Sequence, residues 1–483
     1  MNRYLDEPMV GDIDNSQTLY NEVKIPKELG QFLRHETYSL LIKGYTGTGK
    51  TTLALSILKE LNISTNCLYI STRVSPDQLL QYHPWIESFF TQTKQVEVTE
   101  TTEVERNHHI FVDGRLDEPG SLFERITNEL MDVKAPTIII DTWDAIGSLM
   151  DKEALMNNAK VLQTWRERAR AKLIFVTEVP EDHTFDYLVD GIVELRQKHH
   201  NDRLVREVFL SKLRGIRITR PLYTFSLNYG FFHSYEHYNP SEFFNLEHFF
   251  HSKHIDKNFL KNNSYFSTGY HELDEILGGG FPVGSTVSIE LDSHVNAKIA
   301  LAFLSKIIVG FISSENSLLI QPFEKTSMDV LTAYQKSSRT EKDVIHVVPT
   351  DIQAKKIPSG TKSLRQAEKV QEEIMKIKKQ NQEKKLLSVL SVDTLREASN
   401  SNPNENELEF LSQIKSNSDL TIFISRRLPD DRHTFVSEIA DIRLSILEID
   451  GTMFLQSETP WSNPYAISVQ PGKGYGIKLE PIV

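Results

Sequence analysis

The sequence predicts an α/β fold: two tandem copies of a parallel sheet flanked by helices, the second copy degenerate. Three observations predict it. Short apolar runs alternate with helix-patterned stretches from residue 38 onward. A Gly-rich loop joins the first such run to the first helix. Three pieces of the first half recur, in order, in the second half.

The first element is the apolar run Tyr38–Lys43, read as a strand, followed by the helix-patterned run Thr52–Leu61. Cys67–Thr72, Ile110–Val112, Thr137–Ile140 and Leu173–Thr177 are further short apolar runs of the kind buried on both faces. Helical patterns separate them at Gly120–Val133 and Lys152–Ala171. Such alternation implies parallel strands with crossover helices. Gly191–Leu195, Arg206–Leu213 and Pro221–Leu227 read as later strands. Residues 1–235 are therefore expected to form one domain, 236–263 an aromatic connector, and 264–483 a second domain. Within the second domain, a Lys/Glu/Gln-rich stretch near 354–385 reads as a charged helical insertion. Its sparse apolar positions Leu364, Ala367, Val370, Ile374 and Ile377 have helical spacing.

The repeat rests on three matches. Ile174-Phe-Val-Thr-Glu-Val-Pro resembles Ile422-Phe-Ile-Ser-Arg-Arg-Leu-Pro. Asp190-Gly-Ile-Val-Glu-Leu resembles Ala440-Asp-Ile-Arg-Leu, and Pro221-Leu-Tyr-Thr-Phe-Ser-Leu resembles Pro464-Tyr-Ala-Ile-Ser-Val. Chance strand composition mimics one pair readily, but not all three in order.

Composition bounds the function. The 483 residues carry a formal charge of −12, which disfavours non-specific binding to nucleic acid or anionic lipid. One cysteine, Cys67, excludes an intramolecular disulfide and fits a reducing cytoplasm. Met1–Asp14 is polar and acidic, unlike a secretion signal, and no apolar run approaches a membrane span. The expectation is a soluble cytoplasmic protein.

The chemistry centres on Gly44-Tyr45-Thr46-Gly47-Thr48-Gly49-Lys50-Thr51, with Thr52 following. Small residues between a strand and a helix let backbone N–H groups curl around phosphate oxygens at the helix's positive end. This is a P-loop, and the expected ligand is ATP with Mg²⁺. Lys50 is expected to reach the β- and γ-phosphates and the Thr51 hydroxyl to ligate Mg²⁺. A magnesium site also needs an acid at a strand end. Asp141, closing Ile138-Ile-Ile-Asp141, is the candidate, with Asp144 the alternative.

These residues, with Phe175-Val-Thr-Glu-Val-Pro180 and Lys212-Leu-Arg-Gly215, resemble the KaiC branch of RecA-like ATPases. The resemblance implies tandem RecA/KaiC-like domains, and that Lys212 and Arg214 reach the γ-phosphate bound by a neighbouring subunit. It therefore implies a homo-oligomer. Leu68-Tyr-Ile-Ser-Thr-Arg-Val-Ser-Pro76 and the degenerate second half resemble the gas vesicle protein D group more narrowly. That group comprises archaeal regulators of gas-vesicle gene expression that act through a protein partner. The sequence departs from the KaiC pattern in one respect. Where paired glutamates follow the second strand in that branch, this chain has Thr72-Arg73-Val74. Glu178 is the remaining carboxylate candidate, as catalyst or sensor, and Arg73 is a candidate phosphate contact. Slow ATP hydrolysis, or a nucleotide switch with little turnover, is expected.

In the second half Gly278–Ser285 is retained, but Ile289-Glu-Leu-Asp-Ser-His-Val-Asn-Ala-Lys298 has no glycine where a P-loop is due. Glu290 and Asp292 would repel phosphate there. Asp393-Thr394 reads as a remnant of the strand-end acid, and the stretch aligned with Lys212-x-Arg214, near Leu455–Ser457, has no cation. This copy is expected to fold without binding ATP in the usual way, and to serve structure or partner binding.

Two other readings compete. A recombinase-like DNA-repair mediator would need a basic stripe with aromatics, which the acidic balance supports poorly. The basic patch Arg166, Arg168, Arg170 and Lys172 is the one feature in its favour, with a solvated helix face as the plainer reading. The other rival is a scaffold that binds nucleotide without turning it over. His248, His251 and His254 fall three apart, so they drift around a helix and do not converge well on one metal.

Overall fold

A computed structural model describes residues 23–63, 66–87, 109–115, 118–130, 133–243, 246–250, 259–261, 263–321, 344–348, 359–380, 383–392, 405–427, 436, 439–470 and 476–483. Two compact units divide the chain, Met1–Glu236 with Ile482–Val483, and His237–Pro481.

The first unit is built on nine strands: β1 (Tyr38–Gly44), β2 (Cys67–Ser71), β3 (His109–Asp113), β4 (Thr137–Asp141), β5 (Lys172–Thr177), β6 (Gly191–His200), β7 (Arg203–Leu213), β8 (Leu222–Ser226) and β9 (His233–Ser234). Their order across the sheet is β3-β2-β4-β5-β1-β6-β7-β8-β9. Strands β3 to β6 in that order run parallel; β6 to β9 close the sheet as antiparallel neighbours. The helices are α1 (Lys27–Leu33), α2 (Lys50–Glu60), α3 (Pro76–Tyr82), α4 (Pro119–Leu130), α5 (Trp143–Gly147) and α6 (Lys152–Ala169).

Period-two alternation splits the strands' side chains between two cores. Leu40, Ile42, Tyr69, Ile139, Ile174 and Val176 face α1 and α2, whose Phe32, Leu53, Ile57 and Leu58 complete one core. Leu41, Leu68, Ile70, Ile138, Ile140 and Phe175 face the other way, onto Leu122, Ile126, Ala159 and Leu162 of α4 and α6. Because both faces are covered, the strands read as continuous apolar runs. Local signals start the helices: Ser75 and Gln78 form a capping box on α3, and Asp151 accepts from the Ala154 N–H on α6. Cys67 is buried in β2, and burial pushes its thiol up to about 12.

The second unit opens with a small sheet of β10 (Leu260–Lys261), β11 (Tyr265–Phe266) and β12 (Phe281–Pro282). Its main strands are β13 (Ser285–Leu291), β14 (Ser317–Ile320), β15 (Ile345–Val347), β16 (Leu386–Ser391), β17 (Leu420–Arg426), β18 (Ile442–Ile449), β19 (Thr452–Thr459), β20 (Tyr465–Gln470) and β21 (Gly476–Pro481). Their order is β15-β14-β16-β17-β13-β18-β19-β20-β21, the same permutation as in the first unit. The three sequence matches fall on corresponding strands: β5 with β17, β6 with β18, β8 with β20. Side-chain chemistry repeats as well. Asp190 accepts from the Ser39 N–H at 3.1 Å, and Asp441 from the Thr286 N–H at 2.8 Å. Arg166 pairs with Asp190, and Lys415 pairs with Asp441. The fold is thus two tandem α/β domains.

One boundary and one packing assignment differ from the sequence expectation. Residues from 237 onward belong to the second unit rather than to a connector. Phe243, Leu246, Phe249, Phe250 and Phe259 are buried in its core, because a stretch so rich in aromatics gains more from packing than from solvation. Of the stretch read as a charged insertion, the described part forms the helix Ser359–Gln380, which covers the sheet. Val370, Ile374 and Ile377 are buried against Leu319, Leu386 and Phe423. It stands between β15 and β16, where the first unit has α4 between β3 and β4. A three-residue apolar stripe anchors it, and Lys and Glu cover the wet face.

Lys306 illustrates a cost within this core. It lies on the helix Ala297–Ser313, donates to the Gly269 carbonyl at 3.0 Å and sits 4.0 Å over the Tyr270 ring. Burial pushes its ammonium down to about 8 from 10.5, with Glu272 partly opposing. Below about 8 both folded and unfolded chains hold the proton, and the folded state carries the desolvation cost. Between 8 and 10.5 only the unfolded chain holds it, so rising pH favours folding there. Urea unfolding of wild type and Lys306→Met should therefore show the wild type gaining up to ~3 kcal/mol on the variant from pH 7 to 10. A pH-independent difference would contradict it.

Candidate functional site

The loop after β1 turns directly into α2, whose N-cap is Gly49. Gly49 has φ +100, a left-handed conformation that favours glycine, and a Cβ there would also displace the Leu227 side chain. At Gly44 a Cβ would meet the Leu195 carbonyl at 2.7 Å. The first turn of α2 itself holds no acidic side chain. Gln197 Nε2 and the Arg206 guanidinium donate to the Gly47 carbonyl at 2.9 and 3.1 Å, tying the loop tip to the β6–β7 hairpin. Burial lowers the pKa of Arg206 below the ordinary guanidinium value.

A cleft of about 410 Å³ opens on this loop. Thr46, Gly47, Gly49, Lys50, Thr51 and Thr52 line it, together with Arg73, Asp141 and Glu178. Gly44, Tyr45 and Thr48 shape the loop instead: Thr48 Oγ1 donates to the Tyr45 carbonyl at 2.8 Å, and the Tyr45 hydroxyl donates to Glu181. Lys50 Nζ donates to the Tyr45 carbonyl at 2.8 Å. Burial lowers its pKa; Glu178, Asp141 and Asp144 oppose that shift, and Arg73 reinforces it.

Asp141 ends β4 beside β5, and its Oδ2 accepts from the Thr51 hydroxyl at 2.7 Å. The same oxygen accepts from the Tyr69 hydroxyl at 2.6 Å, a partner the sequence reading missed. Tyr69 gave no local signal, since it is one apolar position of a buried strand. Asp144 is committed elsewhere. It accepts from Thr177 Oγ1 at 2.8 Å and from the Glu178 N–H, and it lines a neighbouring cavity with Trp143 and Phe185. A hydroxyl and a carboxylate in contact at the foot of a phosphate loop fit a hard, water-retaining cation. Thr51 would hold Mg²⁺ there and Asp141 would orient its waters.

Glu178, just after β5, pairs with Arg73 at 2.5 Å across the cleft. Lys212 and Arg214 are not among the residues that line it. Lys212 Nζ donates to the Asp186 and Val189 carbonyls at 2.8 and 2.6 Å, and burial lowers its pKa. Arg214 pairs with Asp190 at 2.9 Å while its side chain stays 68% exposed. Arg166 also reaches Asp190 and is largely buried, so it does not belong to a solvated basic face. Lys43, buried in β1, pairs with Asp186 at 2.6 Å and donates to the Asp182 carbonyl at 2.9 Å, which holds the loop after Glu178 against the site.

Among the described residues, the second unit lacks this site. Lys172 pairs with Tyr38 as Leu420 pairs with Ser285, so Glu178 and Arg426 hold the same register position. By the same registers Ser391 stands where Asp141 does. Arg426 donates to the Val295 and Ser293 carbonyls at 3.0 and 3.4 Å, so a cation of the chain's own occupies the loop region. Leu455 and Ser457 lie on β19, the counterpart of β7. Asp393, Thr394, His251, His254 and the N-terminal stretch Met1–Asp14 lie outside the described residues. Among the described residues, no helix is long and apolar enough to cross a membrane.

Several known proteins are similar to this chain. Protein GvpD1 of Halobacterium salinarum is 29% identical over 324 residues, covering 64% of this chain and 58% of that protein. Protein GvpD2 of the same organism is 25% identical over 320 residues, covering 63% of each. The chain thus spans about three fifths of the length of these relatives. A solved KaiC-like protein of Pyrococcus horikoshii aligns with 41% of this chain and 89% of its own at 18% identity, with a TM-score of 0.35. Residues 29–211 match the family model described as GvpD gas vesicle protein, P-loop domain. Through this segment, which contains the loop, the strand-end acid and most of the first sheet, the chain is similar to the GvpD P-loop family.

Proposed function

We propose that the first domain binds ATP with Mg²⁺ and that the protein is a regulator of the gas-vesicle type, using nucleotide as a switch that acts through protein partners. One observation carries the reading: Lys50, Thr51 and Asp141 meet at the mouth of the N-terminal loop of α2, with Thr51 and Asp141 2.7 Å apart. Loop N–H groups and Lys50 would bind the phosphates, Thr51 would take Mg²⁺, and Asp141 would fix the metal's waters. Bound Mg²⁺ would neutralise charge on the β- and γ-phosphates. No carboxylate stands at the end of β2 to activate water, which favours slow turnover. Glu178 is the carboxylate at hand, and it is engaged by Arg73 rather than open to a water.

Lys212 and Arg214 are proposed to act on nucleotide bound by an adjacent copy. The exposure of Arg214, and its distance in topology from the cleft of its own chain, support this. Turnover per subunit should then rise with protein concentration, and Arg214→Ala should lower it about 100-fold or more, the scale of an arginine finger. Turnover independent of concentration and unchanged in Arg214→Ala would refute the arrangement. Titration with ATP and Mg²⁺, with and without a single-stranded oligonucleotide, tests the central reading against the DNA-mediator alternative. Salt-sensitive oligonucleotide binding would favour the latter.

A further inference from the structure

We infer that Arg73 and Glu178 form a γ-phosphate sensor: a nucleoside triphosphate draws Arg73 off Glu178, and a diphosphate leaves the pair closed. The inference rests on the nucleotide reading above and specifies how that site distinguishes its ligands.

Sheet order places the pair. Arg73 follows β2 and Glu178 follows β5, and the order β2-β4-β5-β1 puts the Asp141 strand between them. With strands ~4.8 Å apart, an ion pair joining β2 to β5 spans two strand intervals. It therefore arches over the end of β4, where Asp141 meets Thr51. Both side chains line the cleft that holds Lys50. The two partners are unequal. The Arg73 side chain is 52% exposed and Glu178 only 16%. Glu178 is anchored, because Asp144 accepts its backbone N–H. Arg73 lies beyond the end of its strand on a long side chain, so it is the member free to move.

The second unit supplies independent support for the orientation of position 178. Arg426, at the same register, reaches the loop carbonyls Ser293 and Val295. A side chain at this position therefore addresses the loop. In the first unit it is acidic and would repel a phosphate unless a cation stood between them, which is what Arg73 provides. A γ-phosphate, with up to two negative charges and three acceptor oxygens, competes with one carboxylate for a guanidinium that bonds either bidentately. A diphosphate ends one phosphate short and offers no such competitor. Releasing Glu178 also changes the loop after β5, which Lys43 and Tyr45 tie to the P-loop. The triphosphate state is thereby passed to residues 179–187, of which Val179, Glu181, Asp182, His183 and Tyr187 are exposed.

The test measures Mg²⁺-dependent affinities for a non-hydrolysable ATP analogue and for ADP by calorimetry. Arg73→Gln should weaken the analogue about tenfold or more and leave ADP unchanged. Glu178→Gln, which frees Arg73, should raise the analogue-to-ADP preference, and Arg73→Lys should restore part of it as a point charge. Thermal midpoints identify any variant that fails to fold. An unchanged preference in both Arg73→Gln and Glu178→Gln, or equal weakening of both nucleotides, overturns the sensor while the nucleotide site stands. Wild-type protein that binds neither nucleotide overturns both readings.

Discussion

Lys50→Ala is expected to weaken ATP binding about 100-fold or more, from the loss of charge-assisted hydrogen bonds worth ~3 kcal/mol in total. Lys50 is the one cation of the loop itself, and it lies in the cleft beside Thr51. The folded protein should not suffer. Burial already lowers the Lys50 pKa, so the ammonium is held at a cost, and its internal partner is a single loop carbonyl. The thermal midpoint without nucleotide should therefore stay level or rise slightly. Calorimetry and a thermal melt on the same sample separate the two effects. Undiminished binding in Lys50→Ala would remove the site assignment.

Asp190→Ala is expected to cost about 3–5 kcal/mol, the scale of breaking a buried charge pair. Asp190 accepts from the Ser39 N–H and hydroxyl and pairs with both Arg166 and Arg214. Removing it strands the largely buried Arg166 cation and a buried donor on the strand that feeds the P-loop. The second unit provides the control. Asp441 accepts from Thr286 and pairs with Lys415, but Lys415 and Asp441 are 41% and 46% exposed. Solvent can replace most of what Asp441→Ala removes, so that variant should lose about 1 kcal/mol. Equal losses at the two sites, read from denaturant midpoints, would show that burial is not what sets the cost.

Much of this was legible in the sequence, for identifiable reasons. Buried parallel strands announce themselves as apolar runs, and every run read as a strand in the first half lies on one sheet. The P-loop is a contiguous motif, since its chemistry needs backbone N–H groups from successive residues. Asp141 could be singled out because a strand-end acid after three isoleucines is also a local pattern, and it lies against Thr51. Partners set by sheet order were not legible. Tyr69 and Asp141 lie on paired strands separated by α3 and α4, and no spacing rule links them. For the aromatic and charged stretches, helical spacing and packing were legible, but how far each is buried was not. The stretch from residue 237 and the helix Ser359–Gln380 looked like a connector and an insertion, and both pack into the second unit's cores.

The sequence by itself determined the duplicated α/β pattern, the loop with Lys50 and Thr51, the acid Asp141, and the loss of a P-loop in the second copy. Each is written in residues adjacent in the chain, where backbone conformation and side-chain periodicity act locally. The tertiary structure alone decided that Arg73 closes on Glu178, that Arg426 occupies the second copy's loop, and that Asp190 gathers two arginines at the start of β1. Those pairings join strand ends brought together by crossover connections. Charge attraction acts through space, and which charges meet is settled only when the strand order is.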